Sequence, residues 1–337
     1  MALLIIEGFD WASSTDDITK KYQSTGTIGL VTPRDGVGNA ISLSGDKAAI
    51  SKNFTGSTTL IIGFAFKSSF GGDHTLFTLN DNQICFRTSS SRTINAWRPD
   101  GGGWSQVFST IDALEANTWM YLEFKIVLNT GSTGSVEIRK NGALYYQDST
   151  LTTSPVSTPW SNIYFGESPN AVFGNDSNCS IDDIYVCNDS GSMNNDFLGD
   201  CKVSTLFPNA DGGVNEFTPS TGTDHYAVID ETPLTTTDYL TSTIAGQKEF
   251  FNITSLSENP VNVYGIEVNS YWEKTGIDTK TAKVLLKSNT TEVASDEVGL
   301  PYGSQLMSTL IVEQDPDTNT NWNQTSINAV QIGAESV

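Results

Sequence analysis

Histidine and cysteine are scarce in this chain, which has only two histidines and four cysteines among 337 residues. The histidines lie in unrelated segments, so neither a Cys/His zinc site nor a Ser-His-Asp arrangement can be argued from their spacing. Cys179 and Cys187 lie on or beside one predicted strand, roughly 26 Å apart when extended, which is beyond disulfide reach. We therefore expect reduced, buried cysteines, with a Cys187–Cys201 bond as the open alternative.

Positive charge and long hydrophobic runs are also lacking. Lys and Arg number 18 against 39 Asp and Glu, which gives a net charge of −21. Such a surface repels phosphates and anionic lipids, so we predict no nucleic-acid partner and no membrane partner. No segment approaches the roughly 18 apolar residues of a membrane span. The N-terminal MALLIIEGFDW has no basic flank and its apolar run stops at Glu7, which predicts a first strand and a protein made in the cytoplasm.

The sequence is rich in turn residues and in alternating apolar positions. The segment Asn117–Gly142 is typical: one strand, a Gly/Ser/Thr turn at 130–134, and a second strand that ends in Asn141-Gly142. That dipeptide supplies the two positive-φ residues of a tight hairpin. The apolar side chains of the first strand recur with the period of two that a strand requires, at Met120, Leu122, Phe124, Ile126 and Leu128. These patterns predict an all-β protein, and the length favours two domains.

Several segments together resemble the concanavalin A-like (laminin-G-like) jelly roll. One is the strand that begins at a tryptophan and the Asn-Gly hairpin after it. The others are GNAISLSGDKAAISKNF and LIIGFAF, which precede that strand, and NIYFGE and SIDDIYVCN, which follow it. In this fold the last strand returns beside the first, so the resemblance implies a domain at residues 1–188. Residues 189–200 are polar and predict a connector. Residues 201–337 contain about seven further strand patterns and predict a second β-sandwich, an assembly or surface domain.

A second resemblance concerns the region from IDDIYVCND through FLGDCKV to VNEFTPS, together with the tail WNQTSINAVQIGAES. These strings resemble sequences of tailed-bacteriophage virion proteins. The resemblance implies a non-enzymatic structural protein of the tail, fibre or head surface, located in the virion and assembled in the host cytoplasm. Its partners would be other virion proteins, in a symmetric homo-oligomeric assembly. A lectin-like module that binds host surface polysaccharide is the alternative hypothesis, and the two roles are compatible.

Glycan binding would use aromatic faces stacked on sugar rings, with polar side chains for the hydroxyl groups. The candidate residues are Trp97, Arg98, Asp100 and Trp104, around the glycines at 101–103 that allow close backbone approach. The competing interpretation is that both tryptophans pack in a sandwich core.

Calcium is the inorganic partner that the jelly-roll resemblance implies, held by oxygen ligands where first and last strands meet. Glu7 and Asp10 lie on the first predicted strand, and Asp182 and Asp183 on its expected neighbour. The alternative is that these acids bind backbone groups or cap turns. No other cofactor is expected.

An enzyme is the least favoured of the three hypotheses. The concanavalin A-like fold also houses glycoside hydrolases, and retaining hydrolysis requires two carboxyl groups about 5–5.5 Å apart. The glucanase-like motifs E-x-D-x-x-E and E-x-D-x-E do not occur here. Asp182 and Asp183 are adjacent, so a regular strand would point them to opposite sides. The sequence therefore predicts that the protein is not an enzyme.

Overall fold

The computed structural model describes residues 2–170, 173, 178–231 and 235–337. The chain divides into two compact units. The first comprises Met1–Asp10 and Ser14–Val203, and the second comprises Trp11–Ser13 and Ser204–Val337. Strands hold 52% of the residues and helices 4%, which confirms the all-β prediction.

The first unit contains thirteen strands and one short α-helix, α1 (Thr15–Lys21). The strands are β1 (Leu3–Glu7), β2 (Gln23–Val31), β3 (Ala40–Ser57), β4 (Thr59–Ser68), β5 (His74–Leu79), β6 (Ile84–Thr88), β7 (Ile94–Asp100), β8 (Gly103–Ser109), β9 (Met120–Val127), β10 (Gly134–Lys140), β11 (Ala143–Leu151), β12 (Trp160–Gly166) and β13 (Asn178–Asn188). They form one antiparallel hydrogen-bonded array in the order β11-β10-β9-β4-β13-β3-β12-β5-β6-β7-β8, with β1 beside β13 and β2 beside β3. The last strand thus pairs with the first, as the jelly-roll resemblance implied.

The array folds over a cluster of phenylalanines. Phe64 on β4 and Phe124 on β9 stack at 5.9 Å between ring centroids. Phe77 on β5 and Phe86 on β6 stack at 4.6 Å. The two pairs meet edge to face, with 5.0 Å between the Phe77 and Phe124 centroids. Because strands from distant positions of the array share this core, the array forms two packed layers, and the predicted sandwich is confirmed.

Local signals in the sequence have clear structural counterparts. Asn141 and Gly142 have φ values of 50° and 78°, and they join Lys140 to its partner Ala143 in a two-residue hairpin. This confirms the predicted turn. Helix α1 was not expected from the sequence. It begins at a capping box in which the Ser14 side chain accepts a hydrogen bond from the Asp17 amide, and the Asp17 carboxylate accepts one from the Ser14 amide.

The predicted connector, residues 189–200, lies in the first unit, which continues to Val203. Its backbone donates hydrogen bonds to buried groups of the sheet. The Gly199 amide binds Glu123 Oε1 at 2.8 Å, and the Leu198 amide binds the Tyr185 hydroxyl at 3.2 Å. Glu123 is fully buried, and a buried carboxylate is costly without such donors. The segment therefore completes the first unit.

The second unit is also built from strands and small helices. Its elements are β14 (Pro208–Asn215), β15 (Thr218–Pro219), a 3-10 helix (Tyr226–Val228), β16 (Leu240–Thr241), β17 (Lys248–Ile253), β18 (Ile266–Glu273), β19 (Thr281–Ser288), β20 (Thr291–Ala294), β21 (Val298–Gly299), β22 (Gln305–Val312), β23 (Gln314–Asp315), β24 (Thr320–Asn321), α2 (Gln324–Ile327) and β25 (Gln331–Ser336). A six-stranded sheet in the order β14-β17-β25-β19-β20, with β21 beside β19, packs against the β18–β22 ribbon. Val284 and Leu286 of the sheet share a core with Val268 of the ribbon and with Trp322.

Close packing at Gly63 gives a test of the first unit. Gly63 on β4 pairs with Tyr185 on β13, and a Cβ atom at Gly63 would lie 2.1 Å from the Tyr185 ring. The ring cannot easily move, since its hydroxyl donates a 2.6 Å hydrogen bond to Glu123. We expect Gly63→Ala to lower the free energy of unfolding by about 1–3 kcal/mol, measured by urea denaturation. The control is Gly71→Ala, where the nearest atom is 4.0 Å from the added Cβ; equal loss in both variants would contradict this packing argument.

Candidate functional site

One face of the first unit is lined mainly by polar and aromatic side chains. In an antiparallel sheet, directly paired residues project from the same face. Seven strands therefore contribute one continuous row of neighbours, pointing away from the phenylalanine core: Gln23, Ser51, Tyr164, Thr78, Cys85, Trp97 and Gln106. A parallel row contains Thr75, Arg87, Asn95 and Ser109. We call this side of the sheet the polar face. Its central residues, including Thr78, Cys85 and Arg87, are buried, whereas Gln23 and Gln106 near its edges are exposed.

Aromatic rings cluster at the β7–β8 end of the polar face. Trp97 and Trp104 both contact Phe173, at 5.8 Å and 4.7 Å between ring centroids. The guanidinium carbon of Arg87 lies 4.3 Å from the centre of the Phe173 ring, within cation–π range. The Trp97 indole N–H donates to Asn95 Oδ1 at 2.7 Å, which fixes the orientation of the tryptophan ring.

The four predicted glycan-binding residues do not share one orientation. Trp97 and Trp104 lie on the polar face, and both are half-buried. Strand alternation places Arg98 on the opposite side, where it lies 3.9 Å from the Asp100 carboxylate. Asp100 is exposed at the β7–β8 turn and accepts a 2.8 Å hydrogen bond from Ser105.

Glu167 is a buried carboxylate next to the polar face. It follows β12 directly after Gly166, whose φ of 102° turns the chain. The side chain is fully buried, and neither carboxylate oxygen accepts a hydrogen bond from the described residues. The nearest cation is Lys47, with 4.0 Å between its Nζ and Glu167 Oε1. Burial raises the pKa of Glu167. The charge of Lys47, the nearby Lys47 backbone N–H and the charge of Arg87 oppose that rise.

The predicted calcium ligands separate into two environments. Glu7 is buried and accepts hydrogen bonds from Lys21 Nζ at 2.7 Å, the Tyr22 hydroxyl at 2.8 Å and the Phe9 amide at 2.7 Å. These donors occupy both of its carboxylate oxygens. Glu7 therefore stabilises the junction of β1 with helix α1.

Asp10, Asp182 and Asp183 all have raised pKa values, and the charge of at least one nearby carboxylate contributes to each. Burial raises the pKa of Asp182 to about 7, with further contributions from the charges of Asp183 and Asp10. Burial likewise raises the pKa of Asp10 to about 6. Burial is also the main cause of the raised pKa of Asp183, and Arg34 opposes it through a 2.6 Å bond from its Nε.

The expectation that Asp182 and Asp183 face opposite sides of a strand is wrong. The pairing of β13 with β4 is irregular between Asp182 and Tyr185, and Asp183 has a φ of 49°. Such a bulge re-aims side chains. As a result, the Arg34 amide donates to Asp182 at 3.2 Å while the Arg34 guanidinium binds Asp183.

No group of three or more His, Cys, Asp or Glu side chains among the described residues is arranged to hold a metal ion. Arg34 already supplies positive charge to Asp183, and Lys202 binds the neighbouring Asp35 at 2.8 Å. The calcium site stays a prediction.

All four cysteines are free thiols.

Several residues of the polar face were missed by sequence reasoning. Arg87 and Asn95 lie on the neighbouring strands β6 and β7, and Glu167 lies much further along the chain, directly after β12. The signal that could have found Arg87 is its place in β6, where a charged residue follows the apolar Phe86 in a strand that is buried throughout. Only the pairing of the strands brings these residues together.

Comparisons with known proteins identify no family: no family model and no curated protein matches this chain. Solved structures do match. An endo-beta-1,4-glucuronan lyase from the fungus Trichoderma reesei has 11% sequence identity and a TM-score of 0.38, over 49% of this chain and 89% of that one. The alginate lyase Aly36B has 10% identity and a TM-score of 0.35, over 54% and 96%. Domain 4 of AbnA, an arabinanase from Geobacillus stearothermophilus, has 16% identity and a TM-score of 0.35, over 48% and 76%.

The prediction that the protein is not an enzyme is contradicted by these matches, which include two polysaccharide lyases. The motif argument behind that prediction addressed only retaining hydrolysis, and elimination does not require its carboxylate pair. At such low identity the matches concern the fold and assign no activity to this chain.

None of the three is a virion protein, so the virion role, the virion partners and the homo-oligomer stay predictions from the sequence.

Neither α-helix in the described part of the chain has the length and apolar character that a membrane crossing requires.

The raised pKa values predict how stability depends on pH. An acid with a raised pKa is protonated more readily in the folded state, so its stabilising effect is present below about pH 4 and is lost as pH rises through about 7. We expect the free energy of unfolding of Asp182→Asn to gain roughly 4 kcal/mol relative to the wild type between pH 4 and pH 8, since the pKa of Asp182 is raised by about three units. Urea denaturation across this range measures the difference.

The control for this pH series is Asp189→Asn, which removes an exposed carboxylate of the same unit. Parallel pH profiles for the wild type and Asp182→Asn would contradict the prediction. The same series tests calcium: a bound ion would raise the melting temperature of the wild type at pH 8, where the carboxylates are ionised, and Asp182→Asn would reduce that rise.

Proposed function

We propose that the first unit binds glycans on the polar face, with Trp97 and Trp104 as the aromatic contacts. The observation that carries this proposal is the placement of both tryptophans on one sheet face, beside the donors and acceptors of Arg87 and Asn95. Sugar rings present C–H groups to aromatic faces and hydroxyl groups to polar side chains. Ligand sites combine apolar surface with a few fixed polar groups in this way.

The packing around the tryptophans supports a preformed binding surface. The Asn95 bond fixes Trp97, and Phe173 contacts both indole rings. Rings held in place lose little conformational freedom when a ligand binds, which favours affinity. Gln106 is exposed in the same row of the polar face and offers an amide to sugar hydroxyls.

Substitution of either tryptophan tests glycan binding. We expect Trp97→Ala and Trp104→Ala each to weaken binding to a responsive polysaccharide by about tenfold, since an aromatic contact of this kind contributes about 1–1.5 kcal/mol. The measurement is affinity electrophoresis in gels that contain alginate, glucuronan, arabinan or xylan. The matched control is Tyr302→Ala, which removes an exposed aromatic side chain from the second unit. Unchanged retardation of both tryptophan variants in every gel that retards the wild type would contradict the proposal.

A second candidate function is glycan cleavage, and the specific observation that favours it is Glu167. A buried carboxyl group with a raised pKa, close to an arginine and next to the proposed glycan surface, has the properties of a proton donor. Because its pKa is raised, the Glu167 carboxyl group stays protonated at a higher pH than a free glutamate does. It could therefore donate a proton to a leaving oxygen at mildly acidic pH.

Cleavage is tested by incubation of the protein with the same polysaccharides. The amount of new reducing ends measures cleavage of glycosidic bonds. The absorbance of an unsaturated product distinguishes elimination from hydrolysis. We expect Glu167→Gln to abolish turnover while it leaves retardation in affinity gels within about twofold, because glutamine keeps the shape and loses the acid. Turnover that survives in Glu167→Gln would exclude this role, and Lys67→Met serves as a control for unrelated charge changes.

A further inference from the structure

One aromatic side chain of the polar face lies apart from the tryptophans. Tyr164 on β12 belongs to the same cross-strand row as Trp97, through Thr78 and Cys85. Three strand spacings separate Tyr164 from Trp97, which corresponds to roughly 14 Å. Thr78 and Cys85 are fully buried. Tyr164 and Trp97 are therefore two separate positions on one face of the sheet.

The Tyr164 side chain is half-buried, which leaves part of its ring accessible. Burial raises the pKa of Tyr164, and the charge of Asp81 adds to that rise. The hydroxyl group therefore stays protonated at neutral pH and can donate a hydrogen bond. The effect of Asp81 also shows that its carboxylate lies near the Tyr164 hydroxyl, since Coulomb interactions weaken with distance.

Asp81 lies in a strained turn between β5 and β6. Asn80, Asp81 and Asn82 have φ values of 46°, 47° and 97°, a region that few residues other than glycine adopt. Hydrogen bonds tie this turn to the chain around β12. The Asn162 backbone amide donates to Asn80 Oδ1 at 3.1 Å, and the Ser168 hydroxyl donates to Asn82 Oδ1 at 2.9 Å. Strained backbone of this kind is concentrated at binding and catalytic sites.

Two side-chain oxygens near Tyr164 accept no hydrogen bond from the described residues. Asp81 Oδ2 accepts one from the Asn170 side chain, whereas Asp81 Oδ1 is buried and accepts none. Asn162 precedes Tyr164 by two residues on β12, so both side chains project from the same face. The Asn162 side-chain nitrogen donates to Asn53 Oδ1 at 2.7 Å, while Asn162 Oδ1 is buried without a donor in the described part of the chain. A buried acceptor of this kind gains from an O–H donor.

We propose that Tyr164, Asp81 and Asn162 form a second sugar-binding position on the polar face, selective for neutral sugar residues. The Tyr164 ring contacts C–H groups of the sugar, and two of the sugar hydroxyl groups donate to Asp81 and Asn162. Asp81 and Asn162 are both partly exposed. Rotation about the last side-chain torsion is weakly hindered, so either carboxylate oxygen of Asp81 can turn toward a ligand.

The carboxylate of Asp81 sets the selectivity. A hydrogen bond from a hydroxyl group to a carboxylate is charge-assisted and therefore stronger than one between neutral groups. A uronate would instead place a second carboxylate near Asp81, and the like charges would repel each other. This second position rests on the proposed function, because it extends the same glycan-binding face.

Titration of the isotope-labelled full chain with pairs of sugars tests the ligand class. Methyl glucoside, methyl galactoside and methyl mannoside are each compared with the matching uronate, which differs by its carboxylate group. We expect at least one neutral sugar to shift the amide resonances of residues 80–83 and 161–164, and to bind at least about fivefold more tightly than its uronate. Equal or tighter binding of the uronate, or no shift with any neutral sugar, would overturn the proposal.

Calcium chloride is a further probe, because carboxylate and amide oxygens are also ligands of Ca²⁺. We expect calcium chloride to leave the amide resonances of residues 80–83 and 161–164 unchanged. A saturable shift with calcium and none with any sugar would identify a cation site and overturn the proposal.

Variants of the second position provide another test. We expect Tyr164→Ala to weaken binding of the neutral sugar about tenfold, as the loss of one aromatic contact implies. We expect Asp81→Asn to weaken it about fivefold and to reduce the preference over the uronate to within about twofold. Asparagine tolerates positive φ as aspartate does, so the turn is retained. The matched control is Asp189→Asn, which removes an exposed carboxylate of the same unit.

The preference for the neutral sugar is a readout that a merely structural role of Asp81 would leave unchanged. An unchanged preference in folded Asp81→Asn, or wild-type affinity in folded Tyr164→Ala, would overturn the proposal. Tyr164→Phe keeps the ring, removes the hydroxyl group and keeps the proposal testable if Asp81→Asn does not fold. We expect about threefold weaker binding in Tyr164→Phe, since one hydrogen bond is lost.

The second position and the tryptophan surface fail in distinguishable ways. Trp104→Ala leaves binding of the neutral sugar at Tyr164 intact and affects only the polysaccharide assay. Retardation that depends on the tryptophans, without any sugar-induced shift at residues 80–83, would retain the proposed function and reject the second position. Shifts at residues 80–83 without tryptophan-dependent retardation would reject the tryptophan surface and retain the second position.

Discussion

The phenylalanine core of the first unit fixes the orientation of almost every other side chain around it. Phe64, Phe77, Phe86 and Phe124 pack between the two layers. Because side chains alternate along a strand, burial of these rings decides which neighbours point outward. A shift of one residue in any strand would exchange the two faces. The arrangement of the polar face therefore depends on the burial of rings that lie on its other side.

The buried carboxylates of this acidic chain differ in how many hydrogen bonds they accept. Glu7 and Glu123 are buried with donors that are built into the fold, so they stabilise particular junctions. Glu167 is equally buried, yet its oxygens accept no hydrogen bond from the described residues. Folding alone gains nothing from such a group. Glu123 also has one oxygen, Oε2, that accepts no hydrogen bond from the described residues, whereas Glu167 has two, and this difference supports the proposed role of Glu167.

Particular residues show how far the sequence could be interpreted. The alternation from Met120 to Ile126 predicted β9, and the Asn141-Gly142 turn predicted the hairpin that follows β10, because both signals are local. The capping box at Ser14 was equally local, but helix α1 has only seven residues and lacks a long periodic pattern. Asp182 and Asp183 were placed on opposite faces because a sequence does not reveal a bulge. Their bulge depends on the pairing of β13 with β4.

The sequence by itself determined the all-β class and the strand-rich halves of the chain, and it singled out Trp97 and Trp104 as candidate glycan contacts. Each of these follows from local alternation and turn chemistry. Tertiary structure alone decided the rest of the candidate surface. Arg87, Asn95 and Tyr164 come from three separate strands, and only the strand order places them on one face. The physical reason is that periodicity tells which residues of one strand share a side, whereas cross-strand pairing tells which strands are neighbours.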